Sequence, residues 1–219
     1  MRARLKVCCI RSIEEAWLAI DHGADALGLV TAMPSGPGPI DEELIAEIAD
    51  MVPPPIATFL LTSHTVAAEI VQQMLVCGTD IVQLVDAVDN SVYREIRRET
   101  PRIRIVQVVH VRDRSSVEEA VELSELVDAL LLDSGNPQLE VKELGGTGRV
   151  HDWSLSREIV DRSDCPVFLA GGIDPTNVRE ALTKVKPFGI DLCTGVRTEG
   201  ALDPAKLAAL TQALWSSPP

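Results

Sequence analysis

The most constraining feature of this 219-residue chain is an eightfold alternation of short apolar runs with segments of helical spacing. Short apolar runs bounded by turn residues predict strands, and apolar residues three and four positions apart predict amphipathic helices. Eight such units predict one (β/α)₈ barrel, a TIM barrel, with residues 1–219 forming a single domain. The predicted strands are 5–10, 25–30, 55–61, 80–85, 103–110, 128–133, 166–170 and 189–194, and the predicted helices are 13–22, 41–51, 64–76, 90–99, 115–126, 154–162, 175–184 and 203–215.

The alternative fold is a doubly wound open sheet. A nucleotide-binding sheet of that kind predicts a glycine-rich turn after the first strand. This chain has Cys8-Cys9-Ile10-Arg11 at that place, and neither a Pro/Ser-rich linker nor a charge block divides it. The sequence therefore favours the closed barrel.

Composition excludes several classes of partner. A formal net charge of −13 argues against nucleic-acid binding, which needs a basic surface. The five cysteines form no C-x-x-C pair, and their odd number favours a reducing compartment over disulfides or a zinc site. Apolar runs are too short to span a bilayer, and the N-terminus lacks the apolar segment of a signal peptide. We expect a cytoplasmic monomer or homodimer that binds neither membrane nor metal.

A thiol and a carboxylate end two of the predicted strands. Cys8 is in strand one and Asp133 ends strand six, and barrel enzymes place their active sites at the C-terminal ends of the strands. Because side chains alternate along a strand, Lys6, Cys8 and Ile10 should face one way and Cys9 the other. We therefore predict that only Cys8 reaches the shared cavity and that Cys9 packs outward against the helices.

Each of these residues also has a purely structural interpretation. Cysteine is among the most buried residue types, so Cys8 taken without its neighbours is more typical of core packing. An aspartate that ends a strand, such as Asp133, often caps a loop or a helix. His110 ends strand five, where a histidine can also reach the barrel mouth.

Glycines follow three consecutive predicted strands, namely strands six, seven and eight. Bare backbone N–H groups at such tips, followed by helix N-termini, are how barrel enzymes hold a phosphate. The two longest βα loops, 31–40 and 134–153, are glycine-rich as well. These positions predict a site for a small phosphorylated substrate, formed by Gly146, Gly148, Gly171, Gly172, Thr194 and Gly195.

Six motifs occur in order along the chain: Lys6-Val7-Cys8, Val82-Gln83-Leu84, Leu130-Leu131-Leu132-Asp133, Gly145-Gly146-Thr147-Gly148 with Asp152-Trp153, Ala170-Gly171-Gly172-Ile173 with Asn177-Val178, and Asp191 with Thr194-Gly195-Val196. Together, from about residue 5 to 214, they resemble the phosphoribosylanthranilate isomerase family of tryptophan biosynthesis. The resemblance implies an aldose–ketose isomerase. Such an enzyme converts an N-linked phosphoribosylamine to a 1-amino-1-deoxyribulose phosphate by an Amadori rearrangement, without metal or organic cofactor. It also implies that Cys8 is the general base and Asp133 the general acid.

The two implied roles are chemically reasonable. The acid protonates the ribose ring oxygen and opens the ring, and the base then removes a carbon-bound proton next to the resulting iminium. A free cysteine has a pKa near 8.5, so Cys8 needs help to ionise. Lys6 is the nearest cation in sequence, and desolvation at the barrel mouth would keep Asp133 protonated.

The chain departs from the family pattern at the substrate's aromatic end. The loop after strand two usually carries an Arg that contacts the anthranilate carboxylate, but here it reads Ser35-Gly36-Pro37-Gly38-Pro39-Ile40. Val85 replaces a usual His, and Cys9 replaces a usual Gly. Arg11 or Arg112 could supply another cation. The residues that we expect to contact substrate are Lys6, Arg11, Gln83 and His110.

Three hypotheses of function follow. The first is the isomerase itself. The second is a paralogous barrel enzyme that uses the same acid–base pair on a different phosphorylated substrate. The third is a non-catalytic phosphometabolite-binding barrel, which would need neither the thiol nor the carboxylate.

Overall fold

The protein is a closed barrel of parallel strands. The computed structural model describes residues 2–135 and 150–215. Within them eight strands pair in sequence order, and β1 pairs with β8 to close the sheet. The predicted (β/α)₈ fold is therefore confirmed. The barrel strands are β1 (Arg4–Val7), β2 (Ala26–Val30), β3 (Ala57–Thr62), β4 (Ile81–Leu84), β5 (Arg104–His110), β6 (Ala129–Asp133), β7 (Val167–Leu169) and β8 (Gly189–Leu192).

A helix follows each barrel strand, and local sequence fixes many of the helix ends. The Ser12 hydroxyl accepts a hydrogen bond from Glu15 N at 3.2 Å, and Asp41 caps the next helix in the same way. Gly78 ends the third helix in the left-handed conformation, with φ +64°. The helices are α1 (Ile13–Asp21), α2 (Glu42–Met51), α3 (Ala67–Cys77), α4 (Asn90–Glu99), α5 (Ser115–Ser124), α6 (Trp153–Arg162), α7 (Val178–Val185) and α8 (Pro204–Trp215).

Strand alternation divides the apolar side chains into two layers. Leu5 and Val7 of β1 belong to the larger cluster, between the barrel and its helices. Phe59 and Phe168 belong to a smaller cluster inside the barrel, where their rings meet edge to face at 6.0 Å. Lys6 lies among these interior side chains, with its Nζ 5.1 Å from the centre of the Phe59 ring.

Several predicted boundaries were wrong at the C-terminal ends of strands. β1 ends at Val7, and β8 ends at Leu192, where a single 3₁₀ turn begins at Thr194. A short antiparallel pair, β9 (Arg197–Thr198) and β10 (Ala201–Leu202), then precedes α8 and was not predicted. Among the described residues no helix has the length and apolar character to cross a bilayer.

Candidate active site

A cleft opens at the C-terminal ends of the barrel strands. Cys8 and Asp133 both line it. It is bounded on one side by part of the loop 31–40 after β2. Of the other candidate site residues, the lining includes Gln83, Gly171, Gly172, Thr194 and Gly195.

Cys8 lies immediately after β1, held against β8 by a 2.7 Å hydrogen bond from its N–H to Leu192 O. The Cys8 side chain lies against Gly28 of β2, which has no side chain to fill this space. A Cβ on Gly28 would lie 2.6 Å from Cys8 Sγ and 3.1 Å from Lys6 Nζ. The thiol and the ammonium group are therefore neighbours over the same glycine.

Lys6 is fully buried beneath this site and pairs with Asp191 of β8. Its Nζ donates a 2.8 Å hydrogen bond to Asp191 Oδ1, and the two residues are register partners on adjacent strands. Although burial opposes a charge, Asp191 and the neighbouring thiols raise the pKa of Lys6 above its ordinary value. Lys6 is thus a fixed cation below the cavity and does not belong to its lining.

The environment of Cys8 favours the thiolate. A hydrogen bond from the Cys9 side chain lowers the pKa of Cys8, and the Lys6 charge lowers it further, against the effects of burial and of Asp191. The thiolate is the reactive form of cysteine, and a lowered pKa enlarges its fraction at neutral pH. Cys8 is therefore suited to accept a proton.

Cys9 corrects the predicted alternation. Its φ is +62°, in the left-handed region, so the chain leaves the extended conformation directly after Cys8. As a result Cys9 lines the cleft beside Cys8, while Ile10 packs in the outer core. The predictions that only Cys8 reaches the cavity and that Cys9 packs outward were both wrong.

Asp133 ends β6 and is almost completely buried. It accepts a 2.7 Å hydrogen bond from Ser134 N. Burial raises the pKa of Asp133, even though the Ser134 N–H and the nearby His110 favour the carboxylate. A carboxyl group with a raised pKa keeps its proton for longer and can act as an acid.

His110 lies beside Asp133 on the adjacent strand, and the two are register partners. Its Nε2 is 3.2 Å from Val85 O, and its buried Nδ1 has no hydrogen-bond partner among the described residues. The side chain is not in the cleft lining. Its position allows it to act on Asp133 rather than on a ligand.

The tips of β7 and β8 form a cradle of bare backbone. Gly171 and Gly172 have φ of +82° and +63°, and a Cβ on Gly195 would lie 2.0 Å from Ile173 O. Asn177 Nδ2 donates a 2.8 Å hydrogen bond to Gly172 O and holds this turn. The predicted positions Gly146 and Gly148 lie outside the described residues.

A second cleft adjoins the first and has a positively charged side chain in its wall. It shares Cys9, Pro37 and Thr194 with the main cleft, and Arg11 lies in its wall. The Arg11 guanidinium donates to Gly200 O and lies 3.8 Å from a Glu15 oxygen, with 44% of its side chain exposed. Arg112 lines neither of these two clefts.

Sequence reasoning missed two residues here. Arg197, in the same wall as Arg11, is nearly buried and forms hydrogen bonds to both Glu15 carboxylate oxygens. Asp191 lines the main cleft and holds Lys6. Asp191 belongs to the strand-eight motif, which was the sequence signal for it, but the register that places it opposite Lys6 is visible only in the closed barrel.

A family model and sequence relatives indicate the same family. A family model described as N-(5'phosphoribosyl)anthranilate (PRA) isomerase matches residues 5–213. The N-(5'-phosphoribosyl)anthranilate isomerase 2 of Methanosarcina mazei is 37% identical over 196 residues, 89% of this chain and 85% of that relative.

Solved structures agree as well. The phosphoribosyl anthranilate isomerase of Thermotoga maritima has a TM-score of 0.83 at 28% identity, covering 97% of this chain and 98% of that chain. A phosphoribosyl anthranilate isomerase in complex with reduced 1-(o-carboxyphenylamino)-1-deoxyribulose 5-phosphate has a TM-score of 0.81 at 26% identity, with the same coverage.

Proposed function

Because the chain belongs to the N-(5'-phosphoribosyl)anthranilate isomerase family, we propose that Cys8 and Asp133 are the general base and general acid with which it isomerises that substrate. The reaction is an Amadori rearrangement, an intramolecular oxidoreduction of an aminoaldose to an aminoketose. It makes the chain an enzyme of tryptophan biosynthesis.

The best support for these roles is that two groups lining one cavity have pKa values shifted in opposite directions. The pKa of the Cys8 thiol is lowered and that of the Asp133 carboxyl is raised. Both shifts enlarge the fraction of molecules in which Asp133 is protonated while Cys8 is ionised. That is the protonation state which an acid acting first and a base acting second require.

The reaction then runs in three steps. Protonated Asp133 gives its proton to the ribose ring oxygen, the C1–O bond breaks, and the nitrogen lone pair forms an iminium. The Cys8 thiolate removes the proton on C2, and the C–H electron pair moves to form an enolamine and neutralise the nitrogen. The enolamine gains a proton at C1 and loses the C2 hydroxyl proton to give the ketose, and proton exchange with water returns Cys8 to the thiolate and Asp133 to the acid.

Backbone groups and one arginine hold the rest of the substrate. We assign the phosphate to the cradle at Gly171, Gly172 and Gly195, where open backbone and close chain approach leave room for an anion. We assign the anthranilate carboxylate to Arg11 rather than Arg112, since only Arg11 lines a cleft that adjoins Cys9. A charge-assisted contact of this kind contributes about 1.5–3 kcal/mol, or roughly one to two decades in affinity.

Complementation tests the proposed activity. A tryptophan auxotroph that lacks the isomerase should grow when it expresses this chain and should not grow with Cys8→Ala, provided both proteins are equally soluble. Absence of growth with folded wild-type protein would contradict the assignment. Restored growth with Cys8→Ala would contradict the base.

The setting of the enzyme is also proposed. A net charge of −13 and free cysteines fit a cytoplasmic enzyme that takes a small phosphorylated substrate and binds no nucleic acid. We expect a monomer or a homodimer, which sedimentation equilibrium of the purified chain distinguishes.

A further inference from the structure

Two thiols are in contact in the wall of the catalytic cleft. Cys9 Sγ and Cys193 Sγ are 2.6 Å apart, and both cysteines are free. They follow β1 and β8, whose last residues Val7 and Leu192 are register partners. The pairing of these strand ends brings the two cysteines close together, although both lie just beyond the strands.

Cys9 adopts a backbone conformation that glycine would adopt at less cost. A residue with a side chain at φ +62° costs on the order of 1–3 kcal/mol. The Cys9 side chain fits because its neighbour is Gly38. Any other residue there would place a Cβ 2.6 Å from Cys9 Cβ. A thiol kept at this position, against another thiol, suggests a chemical use for its sulfur.

The two cysteines differ in exposure at the cleft, since Cys9 is only 5% exposed. Cys9 and Cys193 are part of the cleft lining, and Cys193 is only half-buried. The guanidinium of Arg197 donates to Cys9 O and carries a positive charge close to both thiols. Hydrogen bonds with Cys193 and Cys8, together with burial, raise the pKa of the Cys9 thiol. The less buried Cys193 is therefore the thiol that meets a small disulfide first.

We propose that Cys9 and Cys193 are a modification site, a dithiol that a small organic disulfide converts reversibly to an intramolecular disulfide and so reduces isomerase activity. The effect on activity rests on the proposed function. The Cys193 thiolate attacks the small disulfide and releases one thiolate, which takes up the proton lost by Cys193. Cys9 then attacks the mixed disulfide, giving the Cys9–Cys193 bond and a second small thiol. The protein pair is oxidised and the small disulfide is reduced.

The link to catalysis runs through Cys8. In the reduced protein the Cys9 side chain is hydrogen-bonded to the Cys8 sulfur and favours its thiolate. A disulfide has no S–H group to donate, so the general base loses this stabilisation. Removing one hydrogen bond to a charged group should lower turnover by about ten- to a hundredfold.

The experiment compares one oxidant across a set of variants. The reduced protein is incubated with bis(2-hydroxyethyl) disulfide, alkylated, digested and mapped by mass spectrometry. In parallel, turnover is measured before oxidation, after it, and after dithiothreitol. In the wild type we expect a Cys9–Cys193 linked peptide, a ten- to hundredfold loss of turnover and full recovery. Cys165→Ser, a change at a remote thiol, should respond as the wild type does.

Cys193→Ser is the decisive variant. It should form no linked peptide and should keep its own reduced-state turnover in the presence of the oxidant. If it folds poorly, Cys9→Gly gives the same comparison, since glycine accepts the positive φ. Each variant is compared only with itself before and after oxidation.

Three outcomes would overturn the proposal. The first is no Cys9–Cys193 peptide in the oxidised wild type, and the second is a linked peptide with unchanged turnover. The third is an equal reversible loss in Cys193→Ser, which would mean that Cys8 takes the small thiol. Failure of the proposed function is distinguishable, because the reduced wild type would then lack isomerase activity while the peptide map still reports the bond.

Discussion

Replacing Lys6 by methionine removes the one positive charge that the described residues bury against Cys8. Lys6 is fully buried and Asp191 is 8% exposed, and their charged atoms are 2.8 Å apart. The change keeps the volume of the side chain but leaves Asp191 buried without its partner. Breaking a buried pair from one side costs about 3–5 kcal/mol, so the free energy of unfolding should fall by that amount.

The same change should alter catalysis in a definite direction. Lys6 favours the Cys8 thiolate, and its removal therefore raises the pKa of Cys8. A general base must be deprotonated to act, so the limb of the pH–rate profile that reports Cys8 should move to higher pH. At pH values below the raised pKa of Cys8, the variant should turn over more slowly than the wild type. At high pH its turnover should recover towards the wild-type value.

Urea unfolding and pH profiles of kcat/KM measure these two effects. Lys184→Met is the matched control, because the Lys184–Glu180 pair, 2.7 Å apart, is more than half exposed. Loss of an exposed pair should cost less than about 1 kcal/mol and leave the profile unchanged. Adding Asp191→Asn to Lys6→Met should recover stability, since it removes the orphaned charge. A Lys6→Met protein as stable as the Lys184→Met control, with an unshifted profile, would refute this reasoning.

Two further changes test how the substrate is held. Arg11→Met should raise KM by about one to two decades with little change in kcat, whereas Arg112→Met should change neither in steady-state assays, and equal effects would contradict the carboxylate assignment. Gly195→Ala places a Cβ 2.0 Å from Ile173 O, so the turn must shift and isothermal titration with inorganic phosphate should detect weaker binding. Unchanged phosphate binding in that variant would show that the anion lies elsewhere.

The sequence predicts the barrel and the positions of two site residues where the signal is local, while the catalytic roles of those residues stay a prediction. Cys8 and Asp133 were predicted from their positions near the C-terminal ends of strands, and both line the cavity. The position of Cys9 was predicted wrongly, because alternation assumes extended backbone and Cys9 has φ +62°. The assignment of all 219 residues to one domain stays a prediction.

Long-range pairing accounts for most of what the sequence did not reveal. Lys6 and Asp191 meet because the closing of the barrel makes β1 and β8 neighbours in a register that no local pattern specifies. Arg197 and Glu15 likewise come from opposite ends of the chain. The choice between Arg11 and Arg112 needed the position of the second cleft, which depends on the loop 31–40.

The central claim is that Cys8 and Asp133 act as base and acid on one reaction path. Its most direct test is the turnover of Cys8→Ser, Asp133→Asn and the double variant, with phosphate binding measured to show that the site is intact. A general acid or base contributes about two to four decades in rate, so each single change should lower kcat by that order. The double variant should be little slower than the poorer single one. Turnover near the wild-type value in either single variant would contradict the account.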